Sequence, residues 1–252
     1  MRITAEQALT KVPEVTLVFW LIKIAATTLG ETGGDVVSMS MNLGYLVGTA
    51  IFALVFMAAV IFQIRAKGFH PFLYWTTIIA TTTVGTTLAD FADRSLDIGY
   101  AGGSTLLLAL LMLSLFLWHR TLGTVSVSSV ASTNAEIFYW VTIMLSQTLG
   151  TALGDWMADS ARLGYAGGAL VFSGMLLLVV AAYYRTKVSH TVLFWTAFIL
   201  TRPLGAVVGD FLDKPVAAGG LALSRYSATA AILAFIVLAI VSFPQRAAIR
   251  AH

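Results

Sequence analysis

The sequence predicts an all-α integral membrane protein with eight transmembrane helices, arranged as four parallel two-helix repeats with pseudo-symmetry about the membrane normal. The first observation is composition, since 58% of the 252 residues are hydrophobic and 11% are charged, whereas soluble domains carry about 25% charged residues. The second is the presence of apolar runs such as 44–64 and 101–118, which approach the ~20 residues that cross a bilayer. The third is a motif that recurs four times along the chain.

Each repeat carries an aromatic-Trp pair, followed at fixed distances by a glycine, an aspartate and a second glycine. The tryptophans are Trp20, Trp75, Trp140 and Trp195. A glycine follows ten residues later, at Gly30, Gly85, Gly150 and Gly205. An aspartate follows each Trp by fifteen residues, at Asp35, Asp90, Asp155 and Asp210. The second glycine follows each Asp by nine residues, at Gly44, Gly99, Gly164 and Gly219.

The repeats extend over about 14–66, 69–120, 134–186 and 189–244 of one membrane domain, and a longer polar linker at 121–136 separates the two halves. The first helix of each repeat runs from the aromatic-Trp pair to the acids, roughly at 15–40, 70–95, 136–160 and 190–213. The second helix follows the second glycine, roughly at 44–64, 99–119, 164–184 and 219–243. Since each repeat crosses twice, all four share one orientation.

Basic residues predict which side faces the cytoplasm. The termini and the inter-repeat loops carry Arg2, Lys11, Arg65, Lys67, Arg120, Arg185, Lys187, Arg246 and Arg250. The opposite loops carry Arg94, Arg162 and Lys214. The positive-inside rule therefore places both termini in the cytoplasm. The first fifteen residues lack an apolar core, so no cleavable signal peptide is expected. We attribute the net charge of +3 to basic residues in loops that set the membrane topology, and we predict no nucleic-acid partner.

The four-copy pattern of aromatic-Trp, LG, GD and GY resembles a bacterial membrane-repeat family of unknown function, over nearly the whole chain. The resemblance implies a multi-pass protein of the bacterial inner (plasma) membrane and brings no activity with it. The fourth copy departs from the pattern, because it has Arg202-Pro203 where the others have polar residues and Gly220 where they have tyrosine.

Carboxylates recur in pairs in all four repeats, and we predict that they converge on a central cation site. The primary ligands are predicted to be Asp35, Asp90, Asp155 and Asp210, and the secondary ligands Glu31, Asp93, Asp159 and Asp213. Fifteen helical residues from Trp to Asp cover about 22 Å of a ~30 Å hydrocarbon core. If the tryptophans mark the cytoplasmic interface, the acids lie inside the membrane, where carboxylates are functional candidates. If the tryptophans lie deeper, the acids reach the outer headgroups and only cap or solvate the loop that leads into the second helix.

Polar and basic residues precede the acids. We predict a polar lining from Thr28, Thr82, Thr83, Gln147 and Thr148, although threonine can also donate to the carbonyl one turn earlier. Lys23 and Arg202 are predicted counter-charges. Lys23 is expected to extend back to the cytoplasmic interface, whereas Arg202 is expected to pair with an acid of the cluster, as a switch or as a structural ion pair.

Carboxylate, hydroxyl and carbonyl oxygens suit hard cations or protons. With no cysteine, and with histidines at the cytoplasmic edge, a thiolate or zinc-type site is not expected. The cofactor prediction is a divalent cation, Mn²⁺, Mg²⁺ or Ca²⁺, and methionines near the motif, such as Met39, favour Mn²⁺.

The leading hypothesis is a cation transporter, for a divalent metal and coupled to protons, whose partners are the inorganic cation and the lipid bilayer. A passive cation channel, and a non-transporting assembly, sensor or lipid-binding protein, remain as alternatives. An enzyme is not predicted, since no nucleophile triad, phosphate loop or zinc-protease motif is present. The oligomeric state is left open.

Overall fold

A computed structural model describes residues 11–96 and 98–248. Over these ranges the chain forms eight long helices, in agreement with the sequence prediction. They are α1 (Leu17–Asp35), α2 (Gly44–Arg65), α3 (Pro71–Asp90), α4 (Tyr100–Leu122), α5 (Thr133–Asp155), α6 (Gly164–Arg185), α7 (His190–Asp213) and α8 (Arg225–Ser242). Arg2 and Arg250, which contributed to the predicted orientation, lie outside the described residues.

Six of the eight described helices are long and apolar enough to cross a membrane, namely α2, α4, α5 with its following turn, α6, α7 and α8. Helices α1 and α3 fall outside this set because they are polar. Helix α1 carries Lys23, Glu31 and Asp35, and α3 carries seven threonines in the sequence PFLYWTTIIATTTVGTTLAD. Most of these polar side chains are buried against other helices.

Local signals set the helix ends near the linker between the halves. Gly123 adopts a left-handed conformation and ends α4, as glycine does at helix C-termini. The Ser132 side chain accepts a hydrogen bond from the Ala135 backbone N–H and caps the start of α5, a preferred role for serine. The linker therefore covers 123–132, shorter than the predicted 121–136.

The fourth repeat also ends differently from the prediction. Helix α8 begins at Arg225 and not near Gly219, because a loop with a short 3₁₀ turn at Val216–Ala218 comes first. Gly220 lies directly against the Lys214 backbone, where a side chain would collide. This contact explains why glycine replaces the tyrosine of the other repeats.

The odd-numbered helices form a closed ring of four, which we call the inner bundle. Each packs on the odd helix of the neighbouring repeat, and α7 packs back on α1. The glycine ten residues after each Trp makes this close approach possible. It meets the residue at position 7, counted from the Trp, in the following repeat: Gly30 on Thr82, Gly85 on Gln147, Gly150 on Arg202 and Gly205 on Thr27.

The even-numbered helices lie outside the inner bundle and are offset by one repeat. Helix α2 packs on α3, α4 on α5, α6 on α7, and α8 returns to α1. Each outer helix therefore covers the inner helix of the next repeat rather than its own. Small residues support this packing: a Cβ on Gly48 of α2 would lie 3.5 Å from the Thr87 methyl of α3.

One end of the inner bundle, which we call the Trp end, is filled by aromatic rings. Trp75, Trp140 and Trp195 are buried there, and the Tyr74 and Tyr139 hydroxyls share a 2.7 Å hydrogen bond. The tryptophans thus contribute to an aromatic core, and three of the four do not mark an exposed interface as the depth estimate assumed. Helix direction places the repeated aspartates at the opposite end, which we call the Asp end.

Segments near both chain ends meet at the Trp end. Pro13 and Ala247 form an antiparallel bridge, flanked by two backbone hydrogen bonds of 2.8 Å. The Lys11 ammonium lies 2.7 Å from Glu136 at the start of α5 and donates to the Gln63 and Ile64 carbonyls at the end of α2. The bridge therefore connects the first and fourth repeats, which no loop joins. The Lys11 contacts connect the segment before α1 to the third repeat and to the end of α2.

Candidate functional site

The repeated aspartates lie together at the Asp end because Asp35, Asp90 and Asp155 end their inner helices and Asp210 lies in the last turn of α7. All four are buried, with exposures of 1–3%. Glu31, one turn earlier on α1, and Asp213, at the end of α7, are also buried. We call these six residues the acidic cluster: Glu31, Asp35, Asp90, Asp155, Asp210 and Asp213.

A π-helical turn follows the repeated aspartate in three repeats. These turns are Val36–Ser40, Phe91–Ser95 and Trp156–Ser160. In the fourth repeat the α-helix continues regularly to Asp213. Single π turns inside helices are frequent at functional sites. In the second and third repeats the next acid, Asp93 or Asp159, lies inside the π turn and so does not keep the position that a regular α-helix would give it.

Two of the predicted secondary ligands differ from the prediction for this reason. Asp159 is exposed, and Asp93, although buried, lies in the π turn beside Gly103 of α4. Among the described residues, neither belongs to the groups of carboxylates whose oxygens approach one another. The prediction assumed that the two acids of each pair, three or four residues apart, lie on one face of a continuous α-helix. That condition is not met where a π turn follows the first acid.

Two groups of three acids bring single carboxylate oxygens within 4.8 Å of one another. The first group is Glu31, Asp35 and Asp90, and the second is Asp35, Asp210 and Asp213. Asp35 is common to both groups. Three carboxylate oxygens at such separations are a ligand set that hard divalent cations prefer.

Basic side chains are interleaved with the acidic cluster. Lys214 contacts Asp35 and lies 3.0 Å from Asp210. Arg94 lies 2.9 Å from Asp90 and 3.4 Å from Asp155. Arg225 lies 3.0 Å from Asp213. The sequence placed Lys214 and Arg94 in loops and Arg225 inside a helix, so it missed all three as partners of the acids.

Lys214 remains protonated in this setting. Burial lowers the pKa of its ammonium, but the carboxylates of Asp210 and Asp35 raise that pKa by more, so the net value lies above the ordinary range. The ammonium therefore acts as a fixed cation between two inner helices.

Arg202 enters the cluster from deeper in the inner bundle, as predicted. Its Nη2 donates to Glu31 Oε2 at 3.0 Å and to the hydroxyls of Thr86 and Thr151. Glu31, Thr86 and Thr151 occupy the same position of three different repeats, eleven residues after the Trp. One guanidinium thus joins four repeats.

The expectation that Lys23 extends back to the cytoplasmic interface is wrong. Its side chain is fully buried and does not extend to the end of the bundle. Its Nζ lies 4.1 Å from the centre of the Phe198 ring. Close packing of α1 against α7 holds the ammonium inside the inner bundle, at the level of this ring.

The predicted polar lining divides into two sets. Thr28, Thr83 and Thr148 donate to carbonyls one turn earlier, at 2.8–3.0 Å, so their hydroxyls are satisfied within their own helices. Thr82 and Gln147 lie at position 7 against the glycines of the preceding repeats, inside the ring. Only the second set offers free polar atoms to the interior.

Fold and site together define a four-repeat helical protein with a buried, mixed-charge cluster at one end of its inner bundle. The chain belongs to the DUF347 family, a repeat of unknown function, whose model matches residues 18–69, 73–124, 138–189 and 193–246. These matches confirm the four repeats. Comparison with curated proteins and with solved structures finds no match.

Proposed function

We propose that this protein is a multi-pass transporter of a hard cation, a divalent metal such as Mn²⁺, and that the acidic cluster is its substrate site. The observation that carries the proposal is charge balance. Six buried carboxylates of the cluster face four basic side chains, Arg94, Arg202, Lys214 and Arg225. Two carboxylates more than cations remain, which one divalent ion or two protons would neutralise.

The ligand chemistry supports a metal in the first group of acids. Glu31, Asp35 and Asp90 supply converging carboxylate oxygens. Each of them also has a basic partner, so a bound metal would share these oxygens with Arg202, Lys214 and Arg94. Met39 Sδ lies 3.9 Å from Lys214 Nζ, so a thioether borders the cluster and suits a transition ion better than Mg²⁺. Because the same carboxylates can bind protons, proton exchange provides a coupling reaction.

In this proposal all eight helices cross the bacterial inner membrane. The polar helices α1 and α3 belong to the inner bundle, where neighbouring inner helices and the outer helices α8 and α2 cover them. Described basic residues at the Trp end include Arg65, Lys67, Arg185 and Lys187, and the positive-inside rule then places that end in the cytoplasm. The acidic cluster lies toward the opposite side.

The test is metal binding and flux with a matched pair of variants. Asp90→Asn should weaken Mn²⁺ binding to the purified protein by about tenfold or more, since loss of a direct ligand costs at least as much as loss of a supporting one. Asp159→Asn alters the same motif at an exposed position and should leave affinity and flux unchanged. Equal affinity and equal flux for Asp90→Asn and the unmodified protein would contradict the proposal.

A non-transporting assembly or sensor protein is the second candidate, because each of the six carboxylates also has a basic partner within 4 Å. In that case Asp90→Asn should lower the thermal midpoint while the unmodified protein binds no Mn²⁺. The filled aromatic Trp end argues for gated transport over a permanently open channel.

A further inference from the structure

A second set of polar side chains lies deeper in the inner bundle, below the acidic cluster. These side chains are fully buried, yet they have polar atoms without a hydrogen-bond partner among the described residues. We call this set the polar layer, and its free atoms are Lys23 Nζ, Thr82 Oγ1, Ser146 Oγ, the Gln147 amide oxygen and nitrogen, and Arg202 Nε and Nη1. Since buried polar atoms are nearly always paired, this concentration indicates a missing binding partner.

The repeat register places these residues at one level. Thr82, Gln147 and Arg202 all occupy position 7, where each packs on the glycine of the preceding repeat. Lys23 comes one turn earlier on α1, and its Nζ lies beside Phe198, which is one turn before Arg202 on α7. Members of the polar layer therefore come from all four inner helices.

Charge is unbalanced in the polar layer. Arg202 forms an ion pair with Glu31, but no ion pair joins Lys23 to an acid among the described residues. The Phe198 ring supplies only a cation–π contact, which offsets part of the desolvation of an ammonium. A buried charge without a counter-charge is strongly unfavourable.

We propose that the polar layer binds one small monovalent anion of the halide class, such as chloride. Ammonium, guanidinium, amide N–H and hydroxyl groups all donate, which suits an anion, and among the free atoms of the polar layer the Gln147 amide oxygen is the one that can only accept. In its protonated form Lys23 carries one positive charge with no acid partner among the described residues, which matches a single negative charge. The neighbouring residues at the level of Lys23 are Ile78, Ile143 and Phe198, all buried, and these apolar walls favour a monatomic ion over a larger carboxylate.

This site is distinct from the proposed cation site, because its donors exclude a metal and its main member, Lys23, lies outside the acidic cluster. An anion here would hold α1 and α7 together at the level where two cations, Lys23 and Arg202, approach one another. It would thus stabilise the closed inner bundle whether or not a metal is bound.

The test is the halide dependence of thermal unfolding of the purified full-length protein. Exchange of sodium gluconate for sodium chloride at constant ionic strength should raise the midpoint saturably, by about 5–10 °C at a hundredfold excess over the dissociation constant. Bromide should replace chloride, and its anomalous scattering in crystals should locate one ion beside Lys23. A midpoint that does not depend on the halide, or ordered water alone at this position, would overturn the proposal.

Variants separate this site from a general salt effect. Lys23→Met keeps the length of the side chain and should abolish the halide response, whereas Lys67→Met, at an exposed position, should retain it. Gln147→Leu provides an independent variant if Lys23→Met does not fold, and should weaken the response. An undiminished response in Lys23→Met or in Gln147→Leu would contradict the assignment.

Discussion

At the scale of single residues, the position four residues after each repeated aspartate determines how the buried acids are paired. The aspartates recur at one position in every repeat, so the sequence alone places them at one height. The position four residues later varies, with Met39, Arg94, Asp159 and Lys214. Two of these four turn inward as cations and one is an exposed acid, a difference that depends on loop and π-turn geometry which repeat spacing does not specify.

Lys214 provides a test at this scale. Lys214→Met should lower the thermal midpoint by about 10 °C, because removal of one partner from a buried ion pair leaves an uncompensated charge, here on Asp35 and Asp210. Differential scanning calorimetry or a fluorescence melt measures the change. The double variant Lys214→Met/Asp35→Asn should recover part of the loss, and Lys67→Met serves as the control.

A midpoint for Lys214→Met equal to that of the unmodified protein would show that the ion pair with Asp35 and Asp210 contributes little to stability. The pKa of Lys214 lies above its ordinary range, so its ammonium remains protonated throughout the neutral pH range. The destabilisation should therefore be the same across that range.

At the scale of helices, the sequence predicted their number, order and direction, because apolar length and repeat spacing determine those features. It did not predict which helices pack together. One possible arrangement pairs the two helices of each repeat; in the observed arrangement each outer helix packs on the inner helix of the next repeat. Both arrangements bury the same apolar faces, so hydrophobic pattern does not distinguish them.

The offset packing predicts a specific disulfide between the first and last helices. The hydroxyls of Thr32 on α1 and Thr229 on α8 lie 3.1 Å apart, and the natural sequence has no cysteine to interfere. Thr32→Cys/Thr229→Cys should therefore form a disulfide on mild oxidation. With a protease site placed in the 123–132 linker, the cleaved halves should remain joined on a non-reducing gel.

A matched control uses Thr32→Cys with Thr186→Cys, an exposed position just after α6 in the second half of the chain. This pair should not cross-link the halves after cleavage. Cross-linking of the control pair, or none between α1 and α8, would contradict the offset arrangement.

At the scale of the whole molecule, the four repeated aspartates lie at one end, away from the tryptophans, and close groups of carboxylate oxygens form from the first, second and fourth repeats. Asp155 of the third repeat, predicted as a primary ligand, belongs to neither group and contacts Arg94. The two ends of the inner bundle differ in kind: aromatic rings fill one, and ion pairs fill the other. The sequence did not indicate that the tryptophans would be buried, since an aromatic pair at a helix start is equally typical of a membrane interface. Contacts around the closed ring determine this outcome.

The bridge between Pro13 and Ala247 has a consequence for chain connectivity. Each junction between repeats has the same helix pairing, and only the one between the fourth and first repeats lacks a loop. A circular permutant that joins residue 248 to residue 11 and opens in the 123–132 linker should fold with the same secondary structure, measured by circular dichroism, and the same Mn²⁺ affinity. Opening the chain inside α5 should abolish folding and serves as the control. If the permutant opened in the linker folds, the order in which the repeats are synthesised does not determine the final architecture.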